Sequence, residues 1–415
     1  MTDPDICVIV PTVREYECVR AYVSNARDHG FDTDRLFVCL VTEDECETDA
    51  MGAMLDDLDI DGVVFDGTAR DEWFDAHGVA EYRELIPAKS HAQTSFGLLF
   101  LWANDFEYGV FLDDDTLPHR DVDFFGTHLS NLAYEGNLPE RRSDERWVNV
   151  LDDADGDLYP RGYPYGAMDE TTEERTVEVS NVVVSQGLWT GVPDLDAVRI
   201  LNDGDLRGRA TTRTTREDYP EDFVTARGNY LTVCSMNLAF RREIVPAFYQ
   251  FPMDDNEWGV GRFDDIWSGL VLKKACDAVG TRIYNGRPLC QHNKAPRSTF
   301  DDLANEVAGL ELNEHVWKAV DRTTTGVTPD RSSSRATKSL DRGVRKESSR
   351  ESERAGAYAT VARAVADELT SSDFSMYRNG EFLNHCGEYL GNWLDCLNEL
   401  AHPPIPISRR NFRQV

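Results

Sequence analysis

The chain has 415 residues, 41% hydrophobic and 10% aromatic, enough to bury a large core and to hold one big domain with a smaller one beside it. Its 75 acidic against 43 basic residues leave a net charge of −32, which excludes a nucleic-acid backbone as partner. No apolar run reaches the roughly 18 residues of a membrane span, and the opening MTDPDICVIVPT lacks the basic-then-apolar plan of a signal peptide, so no stable membrane insertion and a cytoplasmic location are expected.

The acids are spread along the whole chain rather than gathered in a tail, and only seven cations are lysines. A lysine-poor, carboxylate-coated surface suits a high-salt cytoplasm and points to a salt-loving archaeon; the rival reading is an acidic protein with basic partners. The nine cysteines form no C-x-x-C pair, and Cys7, Cys39 and Cys234 lie in apolar runs, so neither a zinc nor a disulfide framework is expected.

In chain order, ICVIV (Ile6 to Val10) reads as a buried strand, and the following TVREYECVRAYVSNARDHG as a helix stopped at Gly30. LFVCLV (Leu36 to Val41) and GVVF (Gly62 to Phe65) are further strands, and AKSHAQTSFGLLFLWAND is a helix leading into the strand YGVFL. Apolar strands alternating with helices predict an α/β fold with a mostly parallel sheet, whose ligands bind beyond the strands' carboxyl ends. VEVSNVVVSQGLW and NYLTVCSMNLAF are read as strands, and Asp264 to Gly280 as a helix. Residues 323–354 are rich in Ser, Thr, Arg and Glu and are read as a flexible linker or insertion between a domain at 1–322 and a helical tail at 355–415.

The chemistry gathers at a few points. Asp113, Asp114 and Asp115 close the strand GVFL; two carboxylates on a short tether suit Mg²⁺ or Mn²⁺ gripping a diphosphate, whereas the plain alternative is a solvated acidic loop. In YPRGYPYG, Arg161 is a phosphate clamp, a ring-stacking group or part of a surface turn. Asp264 and Asp265 stand before a helix, where one suffices to cap it and the second could hold a sugar hydroxyl or act as base. His292 and Lys294 follow another short strand.

Seven segments, VPTVR, FLDDD, YPRGYPY, SQGLWTGVPDLDA, CSMNLAFRREIVPA, GRFDDIWSGLVLKKACD and QHNKA, occur in the order found in the reversibly glycosylated polypeptide family, which includes the UDP-arabinopyranose mutases, and the chain resembles that family from about Ile6 to Phe300. The resemblance implies a glycosyltransferase A-like, Rossmann-like fold with a UDP-sugar (UDP-arabinose or a related one) in the crevice. It further implies Mn²⁺ or Mg²⁺ on Asp115 and Asp113 with His292, and Thr12, Arg14, Lys89, Asp113, Asp114 and Lys294 around the nucleotide. Arg161, Asp264 and Asp265 are then the catalytic candidates, Arg161 matching the arginine associated with self-glycosylation. The second family arginine, linked to mutase activity, falls on Met168 here. Three functions stay open: pyranose–furanose mutase, a metal-dependent glycosyltransferase acting on a lipid or protein acceptor in cell-surface glycan synthesis, and an inactive nucleotide-sugar-binding subunit. A homo- or hetero-oligomer is compatible with each.

The charge alone yields a test. Thirty-two excess negative charges repel across the surface until salt shortens the screening length to about 3 Å at 1 M, so the melting temperature should rise from dilute to molar KCl. A melting temperature independent of KCl over that range would contradict the high-salt reading.

Overall fold

The computed structural model describes residues 4–13, 17–154, 157–168, 171–219, 221–253, 256–327 and 343–400. Its first third alternates as the apolar runs require: β1 (Ile6–Pro11), α1 (Glu17–Asp28), β2 (Leu36–Val41), α2 (Thr48–Asp57), β3 (Asp61–Phe65), α3 (Gly67–Ala76), α4 (Gln93–Ala103) and β4 (Tyr108–Leu112). These strands pair in parallel in the order β3-β2-β1-β4, with Val8 opposite Val38 on one side and Val110 on the other. Every residue of β2, and all of β1 but Pro11, is buried, which is why both strands are apolar throughout rather than alternating. On one face α4 lies so close to β1 that a Cβ added at Gly97 would come within 2.3 Å of an Ile9 methyl carbon.

Beyond β4 the sheet becomes mixed. The chain continues through β5 (Thr116–Pro118), α5 (Phe124–Leu132), β6 (Gly136–Ser143), β7 (Thr172–Val179), β8 (Val182–Gly191), α6 (Ala197–Asp203), β9 (Phe223–Thr225), β10 (Asn237–Arg241), α7 (Asp264–Val279) and β11 (Arg282–His292). From β4 the order runs β10-β8-β11-β9-β6-β7, with β5 pairing β11, and β10 is antiparallel to both of its neighbours. The sheet flanked by helices, parallel through the strands that begin the site and followed by a helical tail, is the α/β architecture expected of a glycosyltransferase A-like chain. Two strand expectations are corrected. VEVSNVVVSQGLW holds two strands, because Asn181 at φ 57° turns the chain between β7 and β8. In NYLTVCSMNLAF only Asn237 onward pairs as a strand; Leu231 and Val233 are buried by packing.

Three helices complete the chain: α8 (Thr299–Arg322), α9 (Gly343–Ser371) and α10 (Glu381–Glu399). Most of the middle of the expected 323–354 linker lies outside the described residues, and its last part, from Gly343, forms the first turns of α9. The tail docks by its apolar side. Trp393 is fully buried, stacks on Tyr249 with ring centroids 4.9 Å apart and donates its indole N–H to the Val245 carbonyl at 3.2 Å. All nine cysteines are free thiols, all but Cys46 buried.

At this junction Glu243 is 3% exposed and meets Arg354 of α9 at 3.4 Å. Burial pushes its carboxyl up to about 7, with Arg354 and Arg241 opposing and Glu351 reinforcing. A carboxyl raised in the folded state stabilises the fold while protonated, and that contribution is lost as pH climbs from the ordinary carboxylate range through about 7. Glu243→Gln should therefore gain stability on the parent between pH 5 and pH 8, by about 3 kcal/mol. Urea midpoints measured at both pH values check this, and a gap that does not change with pH would contradict it.

Candidate functional site

The carboxyl ends of β1 and β4 open into a cavity of 610 Å³, within the range of small-molecule sites. Thr12 continues the β1 ladder with its N–H on the Val41 carbonyl at 2.9 Å, and its hydroxyl donates to Asp114 Oδ2 at 3.0 Å. The aspartate triplet does not run on extended: the Asp113 carbonyl accepts from the N–H and hydroxyl of Thr116 at 3.2 and 2.9 Å, turning the chain from β4 into β5.

Because β5 pairs antiparallel with β11, Thr116 stands opposite His292. The end of β11 is thereby sewn to the triplet. Asn293 N–H donates to the Asp115 carbonyl at 2.9 Å, Ala295 N–H donates to Asp115 Oδ2 at 3.1 Å, and His292 Nε2 lies 3.6 Å from Asp115 Oδ1. His292 Nδ1 is 2.7 Å from the Val192 carbonyl. A carbonyl only accepts, so Nδ1 carries the proton and, in neutral imidazole, Nε2 presents its lone pair toward Asp115. Burial, then Asp115 and Asp114, push the Asp113 carboxyl up to about 7, with His292 and His91 opposing. Among the described residues no three or more His, Cys, Asp or Glu side chains form a group that could hold an ion. The expected residues Asp113, Asp115 and His292 lie together in the cavity lining, with His292 Nε2 nearest to Asp115.

The cavity's cations are paired with carboxylates of their own. Arg161 packs its guanidinium on Asp194, with Nε and Nη2 each 3.0 Å from Oδ2, while Nη1 bonds the Arg262 carbonyl and lies 3.6 Å from Asp265 Oδ1. Gly162 makes this possible: at φ 86° it presses the loop onto α7, where a Cβ would come within 2.5 Å of Ile266. Burial alone would lower the Arg161 pKa, yet Asp194 and Asp265 outweigh it and raise it well above the usual value. Asp194 is correspondingly held well below the carboxylate range: burial opposes this, but Arg161, Lys294 and Arg262 prevail. Stacking on the motif's rings falls to another residue, since Arg199 lies 4.6 Å over Tyr159 and 5.7 Å over Tyr165 and also donates to the Met168 sulfur.

Lys294 is 3% exposed; its Nζ sits 3.7 Å from Asp194 Oδ1 and has no hydrogen-bond partner among the described residues. Burial, with Arg262 and Arg161 adding to it, lowers its pKa against the pull of Asp194. Lys89 stands at the rim, 72% exposed and 3.0 Å from Glu45. Asp264 and Asp265 begin α7 and line the cavity, both buried; Phe263 holds the cap position without a side-chain cap bond. Asp265 nonetheless serves backbone N–H groups, its Oδ1 accepting from Ile266 in the first turn of α7 at 2.9 Å and its Oδ2 from Ser235 at 3.4 Å. Arg14 lies outside the described residues, and Met168 is not among those lining the cavity.

Lining residues that pattern reading did not single out include Glu43, Asp194, Gln250 and Arg262. Glu43 was findable, since it follows the strand end of β2, where the rule for parallel sheets places ligands. It accepts from the Lys89 N–H and the Gln93 amide and lies 3.5 Å from Arg70. Asp194, Gln250 and Arg262 come from irregular segments with no periodic signal.

Comparison with known proteins follows the same lines. Probable UDP-arabinopyranose mutase 2 of Solanum tuberosum is 31% identical over 219 residues, 51% of this chain and 53% of that protein. UDP-arabinopyranose mutase 1 of Arabidopsis thaliana is 31% identical over 219 residues, 51% and 54%. The chain thus spans about half the length of the curated relatives it matches. Among solved structures, a mannosyltransferase of Pyrobaculum calidifontis in complex with GDP-Man and Mn²⁺ superposes at TM-score 0.36 and 15% identity, covering 94% of this chain and 86% of that one. S. aureus TarS 1-349 in complex with UDP-GlcNAc gives 0.35 and 9%, covering 95% and 90%. At those TM-scores neither likeness bears on the site. Residues 78–367 match the model of the family described as reversibly glycosylated polypeptide, well over half of the sequence, and the chain belongs to that family.

Proposed function

We propose that the cavity binds a UDP-sugar together with Mn²⁺ or Mg²⁺ and that the chain is a nucleotide-sugar mutase, interconverting pyranose and furanose forms of a sugar such as arabinose. The observation that carries this reading is the gathering in one strand-end cavity of Asp113 to Asp115 and His292 with Arg161 and buried Lys294. A diphosphate together with a divalent ion would satisfy both sets of charges at once. A single carboxylate with phosphate oxygens is an ordinary site for such an ion, and Asp115 with the lone pair of His292 Nε2 is a donor set that fits it. When bound, the ion would neutralise charge on the departing diphosphate.

The chain's own residues supply the rest. Lys294 has a buried ammonium ready for phosphate oxygens, and Thr12 holds Asp114 on the nucleotide side. Asp264 and Asp265 face the sugar as acceptors for its hydroxyls. Arg161 works as a fixed positive charge. As an acceptor of the sugar it would first have to lose a proton, and Asp194, held so far below the usual range, is no base to take it. Enclosure matters as much as charge, since water reaching the anomeric carbon would turn rearrangement into hydrolysis. Met168 lies outside the cavity lining, and mutase chemistry remains the first reading.

The test is to incubate the full chain in molar KCl with UDP-arabinopyranose and Mn²⁺ and to separate the products. UDP-arabinofuranose is expected. Release of UDP without the furanose would replace the mutase by a transferase lacking its acceptor, and binding with no product would leave a nucleotide-sugar-binding subunit.

A further inference from the structure

Gln250 lines the same cavity and has no part in the scheme above. Its main chain is fixed to the first turn of α4: the N–H donates to Ser95 Oγ at 2.9 Å, and the carbonyl accepts from that hydroxyl at 3.2 Å. The side chain is 1% exposed, and neither its amide oxygen nor its amide nitrogen has a hydrogen-bond partner among the described residues. Both atoms of a primary amide left bare in the interior are costly, because the water they lose is not replaced. The contrast is close by: Gln93, also buried and also lining the cavity, gives its amide to Glu43. Besides Gln250, Lys294 is a buried lining side chain whose polar atom lacks such a partner, and its ammonium suits an anion. A primary amide with both atoms open is satisfied by a partner offering a donor and an acceptor side by side.

Resting on the nucleotide-sugar reading, we propose that Gln250 is a specificity-determining residue that binds two neighbouring hydroxyls of the sugar, its oxygen accepting from one and its nitrogen donating to the other. A neutral polyhydroxylated ring meets this need in either orientation of the amide, since each hydroxyl both donates and accepts. Asp264 and Asp265 offer further acceptors to the same ring. The imide edge of a pyrimidine has the same donor–acceptor chemistry, but among the described residues no Phe, Tyr or Trp lines the cavity to stack a base. The subsite thus selects neutral sugars by the placing of hydroxyls.

Titration calorimetry of the parent chain and of Gln250→Met with UDP and with UDP-arabinopyranose tests this, with thermal unfolding as the fold control and Gln250→Leu as a second variant should the first unfold. Removing an amide that has no protein partner should leave the melting temperature unchanged or higher. UDP affinity should be unchanged, and UDP-arabinopyranose affinity should fall about tenfold. Equal losses for UDP and UDP-arabinopyranose would mean that the amide reads the base, and no loss for either that it reads nothing; both overturn the proposal. Failure of the parent chain to bind UDP would instead overturn the nucleotide-sugar reading, and this inference with it.

Discussion

Asp194 keeps its charge in a buried position between Arg161 at 3.0 Å and Lys294 at 3.7 Å, and the cavity's charge pattern depends on that placement. The two cations come from segments far apart in sequence, the YPRGYPYG loop and the end of β11. One carboxylate fixes both, and its backbone carbonyl also accepts the Arg161 N–H at 2.9 Å. Taking one partner from a buried ion pair costs about 3–5 kcal/mol, because the remaining charge is stranded. Here Lys294 would be stranded, while Arg161 would keep Asp265 at 3.6 Å. The interaction therefore holds the two cations in place more than it adds net stability, and it leaves Lys294 with an ammonium that Asp194 attracts without satisfying.

At the end of β4 the sheet solves the opposite problem. Three successive aspartates at a strand end repel one another, and the turn into β5 sets Asp114 against Thr12 and Asp115 against the backbone of Asn293 and Ala295. The Asp113 carboxyl is raised first by burial and then by its two neighbours' charges. Parallel pairing of β1 with β4 sets the two strand ends side by side, and antiparallel pairing of β5 with β11 brings in His292 and Lys294. Sheet topology, rather than any one loop, assembles the site.

How much of this was legible in the sequence follows from where the physics is local. The strands ICVIV and LFVCLV and the strand before the triplet announce themselves because burial on both faces demands continuous apolar runs. The acidic pair opening α7 and the histidine ending β11 were likewise visible as strand-end or helix-start residues. Asp194 and Gln250 were not. Their importance lies in which partners they have or lack, and partnership across more than thirty positions leaves no mark on local pattern. Reading VEVSNVVVSQGLW as one strand failed for a related reason, since a single Asn at positive φ breaks it without the usual glycine. Reading 323–354 as linker failed at its end, where Gly343 onward is helical: its polar residues are reasonable helix formers, and α9 is anchored further on by buried Tyr358, Val361 and Val365.

The central claim is that the cavity's carboxylates and cations together hold one metal–diphosphate unit, with Asp115 on the metal side. Titration of UDP into the parent chain and into Asp115→Ala, each with and without Mn²⁺, tests it most directly. Asp115 is at a turn rather than in the apolar core, so the variant should fold, and thermal unfolding will show it. The account predicts that Mn²⁺ tightens UDP binding to the parent chain and has no such effect on the variant. Equal tightening by Mn²⁺ in both chains, or none in the parent, would contradict it.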